Sequence, residues 1–245
     1  MLYHLDTIPV WDAVKQNSAC PICLLREKNE QLDVERFLGG SVMEPDIRIK
    51  VNEKGFCPRH QQMLYDQKNR LGHALLMQSH LQTMTKAVLA EMDGAISGMK
   101  GGFLKGDKTG GVRLAAERLS KKTSGCIICD SLEENVTRYT RTLLHLYKTD
   151  ASFRTAFEQS KGVCLRDLPP VMTLADEMLA GDTLRSFLTT LRDILSRELQ
   201  TAQSDLDGFC VKFDYRNRDK PWGTSRGALE RTVNRLRGKV LKEET

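Results

Sequence analysis

The chain of 245 residues is 40% hydrophobic and 28% charged, which describes a globular protein rather than a disordered or collagen-like one. Its length supplies a core without disulfide staples. No apolar run approaches the roughly 18 residues a membrane helix needs. The net charge of +5 sits in residues 211–245, where ten Lys or Arg face five Asp or Glu, so residues 1–210 are neutral overall.

The opening segment, MLYHLDTIPVWDAVKQ, lacks the basic start and apolar run of a signal peptide. A cytoplasmic location is therefore expected, where stable disulfides are rare. Seven cysteines in that setting, six of them patterned, point to metal or redox chemistry.

Cys20 and Cys23 form a C-x-x-C pair, followed by a helix marked by Leu25, Leu32, Phe37 and Leu38. Asp46 to Val51, DIRIKV, alternates briefly and predicts a short extended piece. Next comes GFCPRH, Gly55 to His60. Ala74, Met77, Leu81, Met84, Val88, Met92, Ala95 and Met99 recur every three or four residues and predict one apolar helix stripe. Methionine at that spacing reads as core filling rather than a copper site.

Gly98 to Gly111 holds six glycines in fourteen residues, the composition of a flexible linker. Within it, Gly101 to Thr109 nearly spells a phosphate-binding loop. Asp107 intrudes before Lys108, and no strand precedes it, so the motif is rejected.

Cys126 and Cys129 form the second pair. A helix follows through Leu132, Val136, Tyr139, Leu143 and Leu146, and then GVCLRD, Gly162 to Asp167. Leu184, Phe187, Leu188, Leu191, Ile194, Leu195, Leu199, Ala202 and Leu206 predict another long helix, with Asp182 as its N-cap. Cys210, between Phe209 and Val211, reads as a buried thiol without a role. A last amphipathic helix is expected over Leu229, Val233, Leu236 and Val240, capped by Thr224 or Ser225.

The chain repeats itself. At an offset of 106, Cys20 meets Cys126, Cys23 meets Cys129 and Glu27 meets Glu133; at 107, Gly55 meets Gly162, Cys57 meets Cys164 and Arg59 meets Arg166. His60 then faces Asp167. Self-similarity of this kind fixes architecture. The expectation is an all-α fold of two related helical modules, 1–99 and 112–210. A Gly-rich linker, 100–111, joins them, and a basic C-terminal segment, 211–245, follows.

Zinc takes four tetrahedral ligands, with thiolate and imidazole favoured in structural sites. Read sequentially, Cys20, Cys23, Cys57 and His60 make one site, and Cys126, Cys129, Cys164 and Asp167 the other. An Asp oxygen binds zinc at about 2.0–2.2 Å. Asp167 could ligate directly, hold a water, or yield to His145, and Lys161 and Arg166 could offset its charge. An iron–sulfur cluster is not excluded by spacing. A thioredoxin-like redox pair needs a βαβ setting that is missing. The other histidines, His4, His73 and His80, lack paired spacing. In the tail, Asp214, Tyr215, Arg216, Arg218 and Trp222 precede Arg226, Arg231, Arg235 and Arg237. That mix suits docking through Trp222, or nucleic-acid contact.

The paired motifs and the KFDYRNRDKPWG tail resemble an uncharacterised family of bacterial cytoplasmic proteins carrying a domain of unknown function. The resemblance covers essentially the whole chain. It implies His where this chain has Asp167, and neither a reaction nor a partner. The expected function is a zinc-stabilised helical protein with a scaffold or interaction role. Alternatives are a metal-dependent or iron–sulfur redox enzyme using the second site, and nucleic-acid binding through the basic tail.

Overall fold

The computed structural model describes residues 5–16, 18–100, 109–217 and 219–243. Among them are eleven α-helices and no strand, so the all-α expectation holds. The helices are α1 (Thr7–Lys15), α2 (Pro21–Leu38), α3 (Pro45–Lys54), α4 (Pro58–Asp66), α5 (Arg70–Lys100), α6 (Thr109–Thr123), α7 (Ile127–Thr149), α8 (Ala151–Gln159), α9 (Leu168–Met178), α10 (Gly181–Val211) and α11 (Ala228–Arg237).

Local chemistry sets many of the starts. Proline occupies the first turn of α3, α4 and α9, where its fixed φ suits a helix and its missing N–H costs nothing. Asp150 caps α8, its Oδ1 accepting from the N–H groups of Ser152 and Phe153 at 2.9 and 3.1 Å.

By contacts the chain divides into two compact units, one of residues 1–28 with 134–245 and one of residues 29–133. The division falls within α2 and within α7, and it cuts across the sequential modules 1–99 and 112–210. In the first unit, Tyr147, Phe157 and Phe187 form an aromatic cluster with ring centroids 5.0–6.0 Å apart. Trp11 meets Phe153 edge-on at 5.1 Å. Leu191, Ile194 and Leu195 of α10 join this core, as the period predicts. In the second unit, Phe37 packs edge-on against Phe56 at 5.5 Å, with Val51, Leu64, Leu76 and Ile128 fully buried around them.

Several expectations are corrected. DIRIKV lies in helix α3, not in an extended piece. Pro45 fixes its entry, and Val51 buries one side while Arg48 donates to the Leu75 carbonyl at 3.1 Å. The apolar stripe of α5 is core only at its start: Met77 packs against the buried cluster, whereas Leu81 is 67% and Met92 50% exposed, and the fully buried Leu76 lies off the stripe. Cys210 is exposed, because the α10 core stripe ends a few turns earlier. Helix α10 takes Ala180 as its N-cap, with Asp182 in its first turn. Helix α11 starts after Gly227, whose φ of 67° is left-handed, rather than at Thr224 or Ser225. Of the linker, Gly101 to Lys108 lies outside the described residues, as do His4 and Arg218, and Thr109–Gly111 already belongs to α6. The near-miss phosphate loop therefore falls mostly outside them.

Gly55 and Gly162, equivalent in the repeat, both take left-handed φ, 63° and 67°, which only glycine adopts cheaply. A Cβ on Gly55 would meet the His80 ring at 2.7 Å, and one on Gly162 the Ile194 side chain at 2.8 Å. Each turn aims the following cysteine.

Candidate metal centres

The C-x-x-C pairs stand at helix starts. Cys20 and Cys126 precede the first residues of α2 and α7, and Cys57 is the N-cap of α4. Asp167 is the N-cap of α9. Helix N-termini favour anions such as thiolate.

Two clusters of four donors could each hold a metal ion: Cys57, His60, Cys126 and Cys129, and Cys20, Cys23, Cys164 and Asp167. The eight residues singled out by spacing are thus gathered, but the half-sites are exchanged. The C-x-x-C of one repeat meets the second motif of the other. This corrects the sequential grouping of Cys20 and Cys23 with Cys57 and His60, and of Cys126 and Cys129 with Cys164 and Asp167. The reason is length. Helix α2 has 18 residues and α7 has 23, so each carries its chain about 27 or 35 Å from its own C-x-x-C. Neither repeat brings its second motif back to its own C-x-x-C. Each cluster lies within one compact unit.

Four ligands at about 2.0–2.3 Å from one tetrahedral ion lie roughly 3.5–3.8 Å from one another. In the histidine cluster, Cys57 Sγ lies 3.8 Å from Cys129 Sγ, and His60 Nδ1 lies 3.2 Å from Cys57 Sγ, 3.2 Å from Cys126 Sγ and 3.5 Å from Cys129 Sγ. In the aspartate cluster, Cys23 Sγ lies 3.6 Å from Cys164 Sγ. Asp167 Oδ2 lies 3.5, 3.4 and 3.3 Å from the sulfurs of Cys20, Cys23 and Cys164. These separations fit a single ion. A multi-iron cluster would spread its ligands farther. Asp167, not His145, stands with the three thiols.

The fourth donor of each cluster has its outer atom matched. His60 Nε2 lies 3.0 Å from Glu30 Oε1, and Arg59 donates to Glu30 Oε2 at 2.7 Å. An acceptor behind imidazole fixes the tautomer that leaves Nδ1 for a metal. Asp167 is an acceptor instead, and its outer Oδ1 takes donors: Arg26 Nη2 at 3.2 Å and Arg166 Nε at 3.3 Å. Arg166 Nη2 also reaches Oδ2, at 3.3 Å. Three thiolates and a carboxylate around a dication sum formally to about −2, against about −1 with neutral His. The two guanidiniums balance that excess. Arg166 plays the expected part and Arg26 joins it, whereas Lys161 offers its backbone carbonyl to Arg235.

Without an ion, crowding opposes ionisation of several of the thiols. Burial pushes Cys20 well above its ordinary value, and the contact with Cys164, with burial, takes Cys23 to about 12. The same contacts, from Cys20 and Cys23, hold Cys164 down at about 2. Burial and Cys126 push Cys129 to about 12, whereas His60 and backbone N–H groups outweigh burial and bring Cys126 to about 6. Despite burial, Cys126 and Glu30 raise His60 to about 10. Cys164 and Cys126 thus ionise readily, while ionisation of Cys20, Cys23 and Cys129 is opposed. A bound dication removes that opposition.

His73 lies 2.7 Å from Gln61 and His80 lies 3.0 Å from the Asn52 carbonyl; both serve ordinary packing. Trp222 packs with Phe209 and Phe213. Deeper anchorage of the tail comes from Asn234 and Arg235, both buried. Among the described residues no helix is long and apolar enough to cross a membrane.

Fold and clusters together define a helical protein with two candidate metal centres, each joining a C-x-x-C pair to a sequence-distant second motif. The chain belongs to DUF6062, a family of unknown function, whose model matches residues 1–243. It is also similar to the uncharacterized 23.9 kDa protein in the xynA 3' region of Caldicellulosiruptor sp. (strain Rt8B.4), 23% identical over 198 residues, 81% of this chain and 84% of that protein. No solved structure matches the chain. The resemblance to an uncharacterised family, drawn from the motifs, thus holds over nearly the whole length.

Proposed function

We propose that this is a cytoplasmic zinc protein in which each of two ions ties a C-x-x-C pair to a sequence-distant second motif within one unit of a helical scaffold, leaving its surface for a protein partner. The observation that carries the reading is the matched pair of four-donor clusters. Each has single-ion spacing and an outer-shell partner of the right polarity for its fourth ligand. Structural zinc takes four protein ligands, whereas catalytic zinc keeps a position open. Here side chains fill all four positions, and the aspartate cluster is wholly buried, which favours scaffold over enzyme. The exposed Leu81, Leu89, Met92 and Ile96 of α5 support an interaction role. The nucleic-acid alternative loses two of its cations. Arg231 binds Asp205 at 3.0 Å and the Arg226 carbonyl at 2.6 Å, and Arg235 is buried.

Metal analysis of chain purified under reducing conditions should find two zinc ions per chain, one for each cluster. Less than one, or iron with visible absorbance, sinks the reading. Replacing Glu30 with Gln removes the anionic acceptor behind His60. Zinc affinity at that centre should fall about 10- to 100-fold in chelator competition, with the other centre unchanged.

A further inference from the structure

Between the two centres, the joints linking the half-sites differ. At the histidine centre the joint is internal: the Ile127 N–H donates to the Gly55 carbonyl at 3.1 Å. At the aspartate centre the equivalent of Ile127 is Pro21, which has no N–H to give. The opposite exchange occurs after the knuckle cysteine. Pro58 at the histidine centre needs no acceptor, but its counterpart Leu165 carries an N–H that does.

Arg235 of α11 answers both. Its side chain is 5% exposed. Nη1 donates to the carbonyls of Ala19 at 2.8 Å and Lys161 at 2.7 Å, with Val163 at 3.5 Å, and Nη2 meets Glu198 Oε2 at 3.1 Å. Its own carbonyl accepts from the Leu165 N–H at 2.9 Å. One residue thus grips the chain before Cys20, the chain around Gly162 and the chain after Cys164. A buried guanidinium is costly unless fully paired, and these partners pair it. The segment beyond it is pinned too: the Val240 and Leu241 N–H groups both donate to Asn234 Oδ1 at 2.9 Å. Gly238 lies so close to the Arg166 guanidinium that a Cβ would sit 2.6 Å from it.

We propose that Arg235 is a positioning residue for the aspartate centre, replacing the cross-brace that Pro21 cannot make, so that the C-terminal helix is a working part of that centre alone. The inference rests on the zinc reading of the Cys20, Cys23, Cys164 and Asp167 cluster.

The test uses the full zinc-loaded chain and two readouts. One is zinc release to a chromophoric chelator. The other is the alkylation rate of each cysteine by mass spectrometry, before and after chelation. Arg235→Met should speed release of one ion about tenfold or more. Alkylation at Cys20, Cys23 and Cys164 should rise, and that at Cys57, Cys126 and Cys129 should not. Arg235→Lys, the milder change should Arg235→Met fail to fold, should remain fast, since one ammonium cannot span these acceptors. Adding Pro21→Ala to Arg235→Met should restore part of the protection, by returning an N–H where Ile127 has one. Unchanged rates, equal exposure of all six cysteines, or no rescue by Pro21→Ala would each overturn the proposal. A parent chain without metal sinks the zinc reading instead, and the alkylation pattern still decides Arg235.

Discussion

Replacing Cys20 with Ala should lower the zinc content from two ions to one, and replacing Cys164 in the same chain should lower it no further. The two sulfurs belong to one cluster, so the second substitution removes a ligand from a centre already lost. Cys20→Ala combined with Cys57→Ala should instead empty both. Sequential pairing reverses these outcomes: Cys20 and Cys57 would share an ion, and Cys20 and Cys164 would not. Stability should follow the same rule, since substitutions acting on one centre are strongly non-additive and those at independent sites add within about 0.3–0.5 kcal/mol. Structural zinc supplies an apparent ~10–16 kcal/mol in small finger peptides, which have little else to hold them. Each unit here has its own aromatic and aliphatic core, so loss of one ion should lower the midpoint of thermal unfolding while helical circular dichroism persists. A zinc count of zero for Cys20→Ala with Cys164→Ala, or of one for Cys20→Ala with Cys57→Ala, would refute the exchanged pairing.

The eight candidate ligands were legible because chemistry restricts them locally. A cysteine three positions from another, or from His or Asp, puts two donors on one turn, and the repeat doubles the signal. Their grouping was not legible. Both copies carry interchangeable half-sites, and only the lengths of α2 and α7 decide which meet. Helix class was legible from apolar period, but on α5 the period located a stripe without telling which face is covered. DIRIKV alternates over too few residues to outweigh Pro45 and the burial of Val51. Arg26 and Glu30 carry no local signal, because a charged residue on a helix usually faces solvent, and for the same reason Arg235 reads in the sequence as one of the tail's surface cations. A signal did exist in the departures from the repeat. Where His60 becomes Asp167, Pro21 becomes Ile127 and Pro58 becomes Leu165, the partners change as well.

Those departures bear directly on the fourth ligand of the aspartate centre. Asp167→Ala should release that ion, since it removes the one oxygen donor and leaves Arg26 and Arg166 facing three thiolates. Asp167→His, which copies the other centre, should not restore it. The imidazole would turn Nε2–H outward against guanidinium donors, and a donor facing donors orients nothing. His60 works because Glu30 accepts behind it. Adding Arg26→Glu to Asp167→His supplies such an acceptor and should recover a large part of the affinity, about 10- to 100-fold over Asp167→His alone. Zinc retention in chelator competition should therefore rank the parent first, then the double variant, then Asp167→His, then Asp167→Ala. Parent-like retention in Asp167→Ala would remove Asp167 from the ligand set. Parent-like retention in Asp167→His alone would show that the guanidiniums do not select the ligand.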